Sequence, residues 1–324
     1  MIHATLLHRV RAPTVAVEGD FRGRGGMRRS HAAVITIAGS LVWATAQAQD
    51  ARQKPTELAW FQPQTIFHSG LVGTHTIALT FDDGPNAHTP AVLAALRKAN
   101  IKATFFIVGK MAEAHPEILR EIATDGHLLA NHSATHAFLG SGYDSHPEKL
   151  IAQIKRVNDE IAPLQTKDTQ LFFRAPYGAW RTAHGEILNA DPVLKHYVGP
   201  IYWYIGGETR MDAQGYVMSS ADWSCWRRHW SAQICAKGYQ REIRRRNGGI
   251  VLMHCIHRES GELVDAIVAP LLQEGYRFVR LDQDPAYDRY KTPTEPQPPI
   301  VAMADAADIP GLAKPGAAAP RSRR

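Results

Sequence analysis

From residue 75 onward, short apolar runs alternate with segments that open on proline or threonine and close on glycine or a charged turn. "HTIALTF", "ATFFIVG", "HLLANH", "LFFRAPY", "HYVGPIYWYIG", "GGIVLMH" and "YRFVRL" read as strands. "TPAVLAALRKAN", with Thr89 as N-cap and Pro90 at the first helical position, reads as a helix. So do "HPEILREIATDG", a segment near 146–162, and "GELVDAIVAPLLQEG", in which Pro270 should kink or shorten the helix. About seven strand–helix units result, and that alternation predicts a parallel sheet with helices outside it. If such a sheet closes into a barrel, chemistry collects at the C-terminal strand ends.

The flanks are of another kind. "MRRSHAAVITIAGSLVWATAQA", residues 27–48, runs from Met27 and the pair Arg28–Arg29 through an apolar stretch to Ala46-Gln47-Ala48. Positive charge, apolar run and small-residue cleavage site in that order predict an export signal, with Met27 as its start and a periplasmic or secreted product. The apolar stretch is too short for a comfortable bilayer span. The expected organisation is an extension and signal over 1–48, a leader over 49–74, the alternating strand–helix domain over 75–283 and a tail over 284–324. That tail holds eight Pro and nine Ala with few large apolar residues, a composition that predicts disorder.

The formal charge is +6, but residues 1–48 hold six Arg against Glu18 and Asp20, leaving 31 basic and 29 acidic residues elsewhere. That balance gives no argument for a nucleic-acid partner, and "REIRRR" at 241–246 reads as a solvated helix face. The cysteines are Cys225, Cys235 and Cys255, with no Cys-x-x-Cys to suggest a thiolate zinc site. In an exported chain, "CWRRHWSAQIC" invites a Cys225–Cys235 disulfide; three buried thiols are the alternative.

"TFDDGP", residues 80–85, sets Asp82 beside Asp83 where a strand ends. Like charges that close disfavour each other's ionisation, and neighbouring strand side chains point in different directions. One account is a division of labour, a cation for one carboxylate and a proton for the other; the plainer account is a good turn. In "NHSATH" at 131–136, His132 and His136 are four apart, so one helical turn would bring both rings to one face. Two imidazoles and a carboxylate form a hydrolytic zinc set, and Asp83 can be the carboxylate. "FFRAPYGAW" places Arg174 at the end of an apolar strand, where it needs an anionic partner. "SADWSCW" offers Asp222 and Trp223, and "IVLMH" puts His254 at another strand end.

In this order, T-F-D-D-G-P, H-S-x-x-H, R-x-P-Y, D-W and L-x-H, the chain resembles the polysaccharide deacetylase family, the NodB-homology carbohydrate esterases of family 4, over roughly residues 75–283. The resemblance implies a distorted, incomplete (β/α) barrel with about seven parallel strands. It implies Asp82 as general base, and Asp83, His132 and His136 as ligands of a divalent metal, Zn2+ first and Co2+, Ni2+ or Mn2+ as alternatives. Arg174 would orient Asp82, and Asp222 would tune His254, the general acid. Tyr177 and Trp223 would shape the groove, Leu252 would line the acetyl pocket, and the Tyr177 backbone N–H would help stabilise an oxyanion. The implied reaction removes N-acetyl groups from an N-acetylglucosamine polymer, peptidoglycan or a chitin-like oligosaccharide. An O-acetyl esterase of acetylxylan type and an inactive sugar-binding homologue are the alternatives. Two departures stand out: Ala175 replaces a proline, and "YIGGETRMDAQGYVMSSA" (204–221) is inserted between Trp203 and Asp222. Tyr216, Trp223, Trp226 and Trp230 would either rim a substrate loop or form a small satellite core.

Overall fold

The structure, a computed structural model, describes Phe61 and residues 69–291, all within a unit that begins at Lys54. The expected export signal and the tail beyond Lys291 lie outside the described residues. The elements are β1 (Thr76–Asp82), α1 (Thr89–Lys98), β2 (Thr104–Ile107), α2 (Gly109–Ala114), α3 (Pro116–Thr124), β3 (Leu128–Asn131) and α4 (Pro147–Ile161). There follow β4 (Leu171–Phe172), α5 (Thr182–Ala190), β5 (Tyr197–Val198), β6 (Arg210–Met211), β7 (Val217–Ser219), α6 (Asp222–Arg227) and α7 (Ala232–Arg246). β8 (Gly248–His254), α8 (Ser260–Gln273) and β9 (Arg277–Val279) complete the series.

β3, β2, β1 and β8 lie side by side and parallel. β1 pairs β8 along its whole length; on its other edge it pairs β2 near the C-terminal end and β9 near the N-terminal end. β4 and β5 form a separate parallel pair. A single bridge, Asn131–Phe173, joins β4 to β3, and the chain after β5 reaches β8 through another, Ile205–Val251. Seven parallel strands therefore curve into a barrel whose ladder is broken on both sides of β4 and β5, the distorted and incomplete form expected.

Strand parity explains both cores and the site. On β1, Ile77, Leu79 and Phe81 face outward into one apolar cluster with α1, α3, α7 and α8. Ala78 faces the interior cluster, with Phe106 of β2, Ala130 of β3, Phe172 of β4 and Ile250 of β8. Since strand side chains alternate, the inward series continues through Thr80 to Asp82, to His132, to Arg174, and through Leu252 to His254. At the opposite end Tyr287 and Tyr290, on a 3-10 turn at Pro285–Tyr290, fill the interior. The ordered fold thus passes the boundary expected at 283, because these two tyrosines are almost fully buried.

Three local expectations need correction. α1 starts at Thr89 itself, with His88 as cap; the Thr89 hydroxyl instead accepts from the Asn86 N–H. Pro270 does not shorten α8, which runs on to Gln273. The carbonyl that Pro270 leaves unserved one turn back, that of Ala266, accepts from Gln240 Nε2 of α7 at 2.7 Å. "LFFRAPY" and "HYVGPIYWYIG" pair over two residues each, and the rest is irregular chain. The 204–221 insertion holds the β6–β7 hairpin, which lies against α7.

Candidate active site

The period of two brings Asp82 and His254 to the barrel's C-terminal end, and the β1–β8 register makes them direct neighbours. Asp83 breaks the parity. Its φ of 73° is left-handed, a conformation Asp tolerates, and it turns the second carboxylate into the same cavity. Gly84 must follow, because a Cβ there would meet Cys255 Sγ at 2.3 Å. His132 and His136 also converge, but not through a helical turn. "HSATH" is an irregular loop in which Ser133 and His136 have φ of 66° and 56°. The two rings end 5.1 Å apart.

Asp83, His132 and His136 offer ligand atoms that all lie within 4.8 Å of one another. His132 Nδ1–H donates to the Arg174 carbonyl at 2.8 Å, which aims Nε2 into the cavity. Asp83 Oδ1 is buried without a hydrogen-bond donor, and His136 Nε2 and His132 Nε2 face it at 3.0 and 3.4 Å. A buried carboxylate oxygen of this kind, opposed by two imidazole nitrogens, fits a divalent metal ion. Burial works against charge on Asp83, yet His132 and His136 outweigh it and hold the carboxyl well below the usual carboxylate range.

Behind Asp82 lies Arg174, 1% exposed. Its Nη1 donates to Asp82 Oδ1 at 2.7 Å and to Thr80 Oγ1 at 2.8 Å, and Nε donates to the Ile201 carbonyl at 3.1 Å. The Phe106 ring packs 4.0 Å from the guanidinium carbon. Burial lowers the Arg174 pKa and the Asp82 charge opposes that; a guanidinium stays protonated.

Behind His254 lies Asp222, fully buried. Its carboxylate accepts from His254 Nδ1 at 2.8 Å and from the His254 backbone N–H at 2.6 Å. The insertion therefore loops out as a hairpin and returns Asp222 to its partner. Burial disfavours charge on His254, but Asp222, then Asp83 and Asp82, overcome it and push the pKa up to about 10.

Tyr177, Trp203, Trp223 and Leu252 complete a cavity of 480 Å³ around Asp82, Asp83, His132, His136 and His254. Tyr177 sits at φ 58°, ψ 11°, a left-handed backbone rare for a bulky residue and typical of functional sites. Its ring meets His136 at 4.6 Å and is 68% exposed. Of the other aromatics, Tyr216 is exposed on the hairpin loop, while Trp226 and Trp230 pack against the outer core. Cys225 and Cys235 form a disulfide between α6 and α7, and Cys255 is a free, buried thiol behind His254. Sequence reasoning missed Thr80 and Tyr239. The Tyr239 hydroxyl accepts the Asp222 N–H at 3.0 Å and donates to the Leu252 carbonyl at 3.1 Å, tying Asp222 to the pocket strand. Nothing marks Tyr239 in sequence beyond a place on the buried face of a helix.

The polysaccharide deacetylase profile matches residues 70–193, which include Asp82, Asp83, His132, His136, Arg174 and Tyr177. The chain is similar to a peptidoglycan-N-acetylglucosamine deacetylase of Bacillus cereus, 35% identical over 130 residues, covering 40% of this chain and 46% of that protein. A chitooligosaccharide deacetylase of Rhizobium leguminosarum bv. trifolii is 37% identical over 133 residues, 40% of this chain and 56% of the relative. The chain thus spans about half the length of each. The peptidoglycan-N-acetylmuramic acid deacetylase PdaA of Bacillus subtilis is 27% identical over 219 residues, 67% of this chain and 73% of the relative. The solved structure of PdaA, a family 4 carbohydrate esterase, shares the fold, with a TM-score of 0.52 at 24% identity over 67% of this chain and 83% of PdaA. With its motifs drawn together at one cavity, the chain is similar over residues 70–193 to the polysaccharide deacetylase family.

Proposed function

We propose that this protein is a metal-dependent deacetylase that hydrolyses N-acetyl groups of an N-acetylglucosamine-containing polysaccharide, peptidoglycan or a chitin-like oligosaccharide, and releases acetate. The observation that carries the reading is the pairing of Asp82 with His254 across β1 and β8, beside Asp83, His132 and His136. A base and an acid then stand at one cluster, each held from behind by a buried partner of opposite charge.

Asp83, His132 and His136 would hold the metal, Zn2+ by preference of the donor set, with Co2+, Ni2+ or Mn2+ as alternatives. When bound, such an ion supplies Lewis-acid polarisation and lowers the pKa of water to about 7. Asp82 Oδ2, left free by Arg174, accepts a proton from the attacking water. Leu252, between Thr80 and the His254 end of β8, forms the apolar wall for the acetyl methyl. The Tyr177 backbone N–H is the candidate donor to the carbonyl oxygen as it gains charge. As the C–N bond breaks, His254 Nε2 gives its proton to the departing amine, while Nδ1 remains on Asp222. The products are acetate and a free amino sugar. The names of the three relatives support the substrate class, and a Cys225–Cys235 disulfide is the chemistry of an exported protein, which is part of this reading.

The test is acetate release from N-acetylglucosamine oligomers, peptidoglycan fragments and acetylxylan at defined metal loading. Release from the N-acetylated glycans is the expected result. Release from acetylxylan alone would replace the amide reading with the esterase one. Sugar binding without release from any of them would make the protein an inactive homologue.

A further inference from the structure

A second concavity adjoins the cavity just described, and Trp223 is common to both. It measures 340 Å³ and is lined by Trp223, Ser224, Arg227 and Arg228. Trp223 is the exposed aromatic of α6, 41% accessible, and its other side borders His254 and Leu252. Both arginines are exposed. The Arg227 guanidinium lies 6.0 Å from the Trp223 ring, and that of Arg228 lies 5.6 Å from Trp230. Arg228 Nε donates to Ser224 Oγ at 3.4 Å. Among the described residues no carboxylate pairs with either arginine, as is true of Arg120, Arg241, Arg277 and Arg289, whereas Arg97, Arg156, Arg181, Arg210 and Arg244 have acidic partners.

Two guanidinium groups without counter-charge, in a recess beside an exposed indole, offer one chemistry: a ring face for a sugar and a fork of donors for an anion attached to it. The arrangement is held in place. α6 is only six residues long, too short to stand alone. The Cys225–Cys235 disulfide and the Asp222–His254 hydrogen bonds fix both its face and its distance from the catalytic cavity.

We infer that the Trp223–Arg227–Arg228 recess is a subsite for a carboxylate-bearing sugar next to the one that is deacetylated. This rests on the deacetylase reading and narrows it, toward glycans whose repeat carries a carboxylate, as an N-acetylmuramic acid unit does through its lactyl ether, and away from neutral chitin-like chains. A solvated arginine pair would not discriminate between the two.

The experiment compares three tetrasaccharides: N-acetylglucosamine alternating with N-acetylmuramic acid, the same compound with its carboxyls methyl-esterified, and neutral tetra-N-acetylglucosamine. The ratio of kcat/KM for the carboxylated over the esterified compound is measured in wild type, R227Q/R228Q, R227K/R228K and, as a remote control on α3, Arg120→Gln. The ratio should fall roughly 10-fold or more in R227Q/R228Q, through KM, as charged hydrogen bonds are lost. It should recover in part in R227K/R228K and stay unmoved in Arg120→Gln. An unchanged ratio, or an equal fall on both compounds, overturns the subsite. Binding of the same tetrasaccharides to metal-free protein, read by titration calorimetry, runs in parallel. If no compound is hydrolysed, the deacetylase reading fails while binding still decides the subsite: carboxylate preference lost in R227Q/R228Q supports it, and equal affinity for acid and ester refutes it.

Discussion

Replacing Arg174 by methionine should strand a buried charge. The methionine keeps much of the stem and can still pack on Phe106, but Asp82, 3% exposed, loses the 2.7 Å bond from Nη1. The Ile201 carbonyl and Thr80 hydroxyl lose their donors as well. Breaking a buried ion pair from one side costs about 3–5 kcal/mol. For a folded unit of this size that lowers Tm by about 10 °C, at about 2–4 °C per kcal/mol. Two companion variants separate charge from packing. Thr80→Val removes one neutral acceptor of Arg174 and the donor to the Val251 carbonyl, and should cost about 1–3 kcal/mol. Arg174→Met combined with Asp82→Asn removes the stranded charge, so it should be about 2 kcal/mol more stable than Arg174→Met alone. The assay is urea unfolding followed by circular dichroism with chelator present, so that no cation beside Asp82 substitutes for the lost guanidinium. A loss under about 1 kcal/mol for Arg174→Met, or strictly additive losses in the double variant, would refute the argument that Asp82 depends on Arg174 for its charge.

Three further outcomes are expected. His254→Ala should lower acetamide hydrolysis by about 100- to 10,000-fold while sparing much of the rate on an aryl acetate, whose phenolate leaves without protonation; equal losses on both would make His254 a structural residue. Cys225→Ala with Cys235→Ala opens a loop of sequence separation 10 and should cost about 2–3 kcal/mol in denaturant unfolding, and peptide mapping that finds two free thiols in the wild type would remove the basis for it. His127, buried against Phe105, is pushed down to about 4, chiefly by burial. Its unfolded form binds the proton first, so its contribution is complete above about pH 6.5 and is lost as pH falls toward 4, by about 3 kcal/mol; His127→Gln should flatten that limb, and an unchanged pH profile would show that another group sets it.

Much of this fold is written in the apolar runs. "HTIALTF" and "GGIVLMH" are buried on both faces, which only a parallel strand between two layers permits, and the structure keeps each as a seven-residue strand. "LFFRAPY" and "HYVGPIYWYIG" are as apolar but pair over two residues each. Their rings pack around Arg174 and Gly178 rather than along a ladder, and apolar content alone does not distinguish the two uses. The site follows the same division. Strand parity, readable from residue numbers, delivers Asp82, Arg174 and His254 to the interior. The left-handed backbone at Asp83, Ser133 and His136 was not readable, because none of them is glycine. Hence the expectation of a helical turn for "HSATH" reached the right pair of rings through the wrong geometry. Thr80 and Tyr239 stayed hidden because a core threonine and a core tyrosine look the same whether or not they bond a charged residue such as Arg174 or Asp222.

The central claim is the division of labour between the adjacent carboxylates, and one paired measurement tests it most directly. Bound metal and acetate release from an N-acetylglucosamine oligomer are determined on the same samples of wild type, Asp83→Ala and Asp82→Asn. The account requires wild type to bind one divalent ion per chain and release acetate, Asp83→Ala to lose both, and Asp82→Asn to keep the metal and lose turnover. Metal retained in Asp83→Ala, or lost in Asp82→Asn to the same degree, would contradict it.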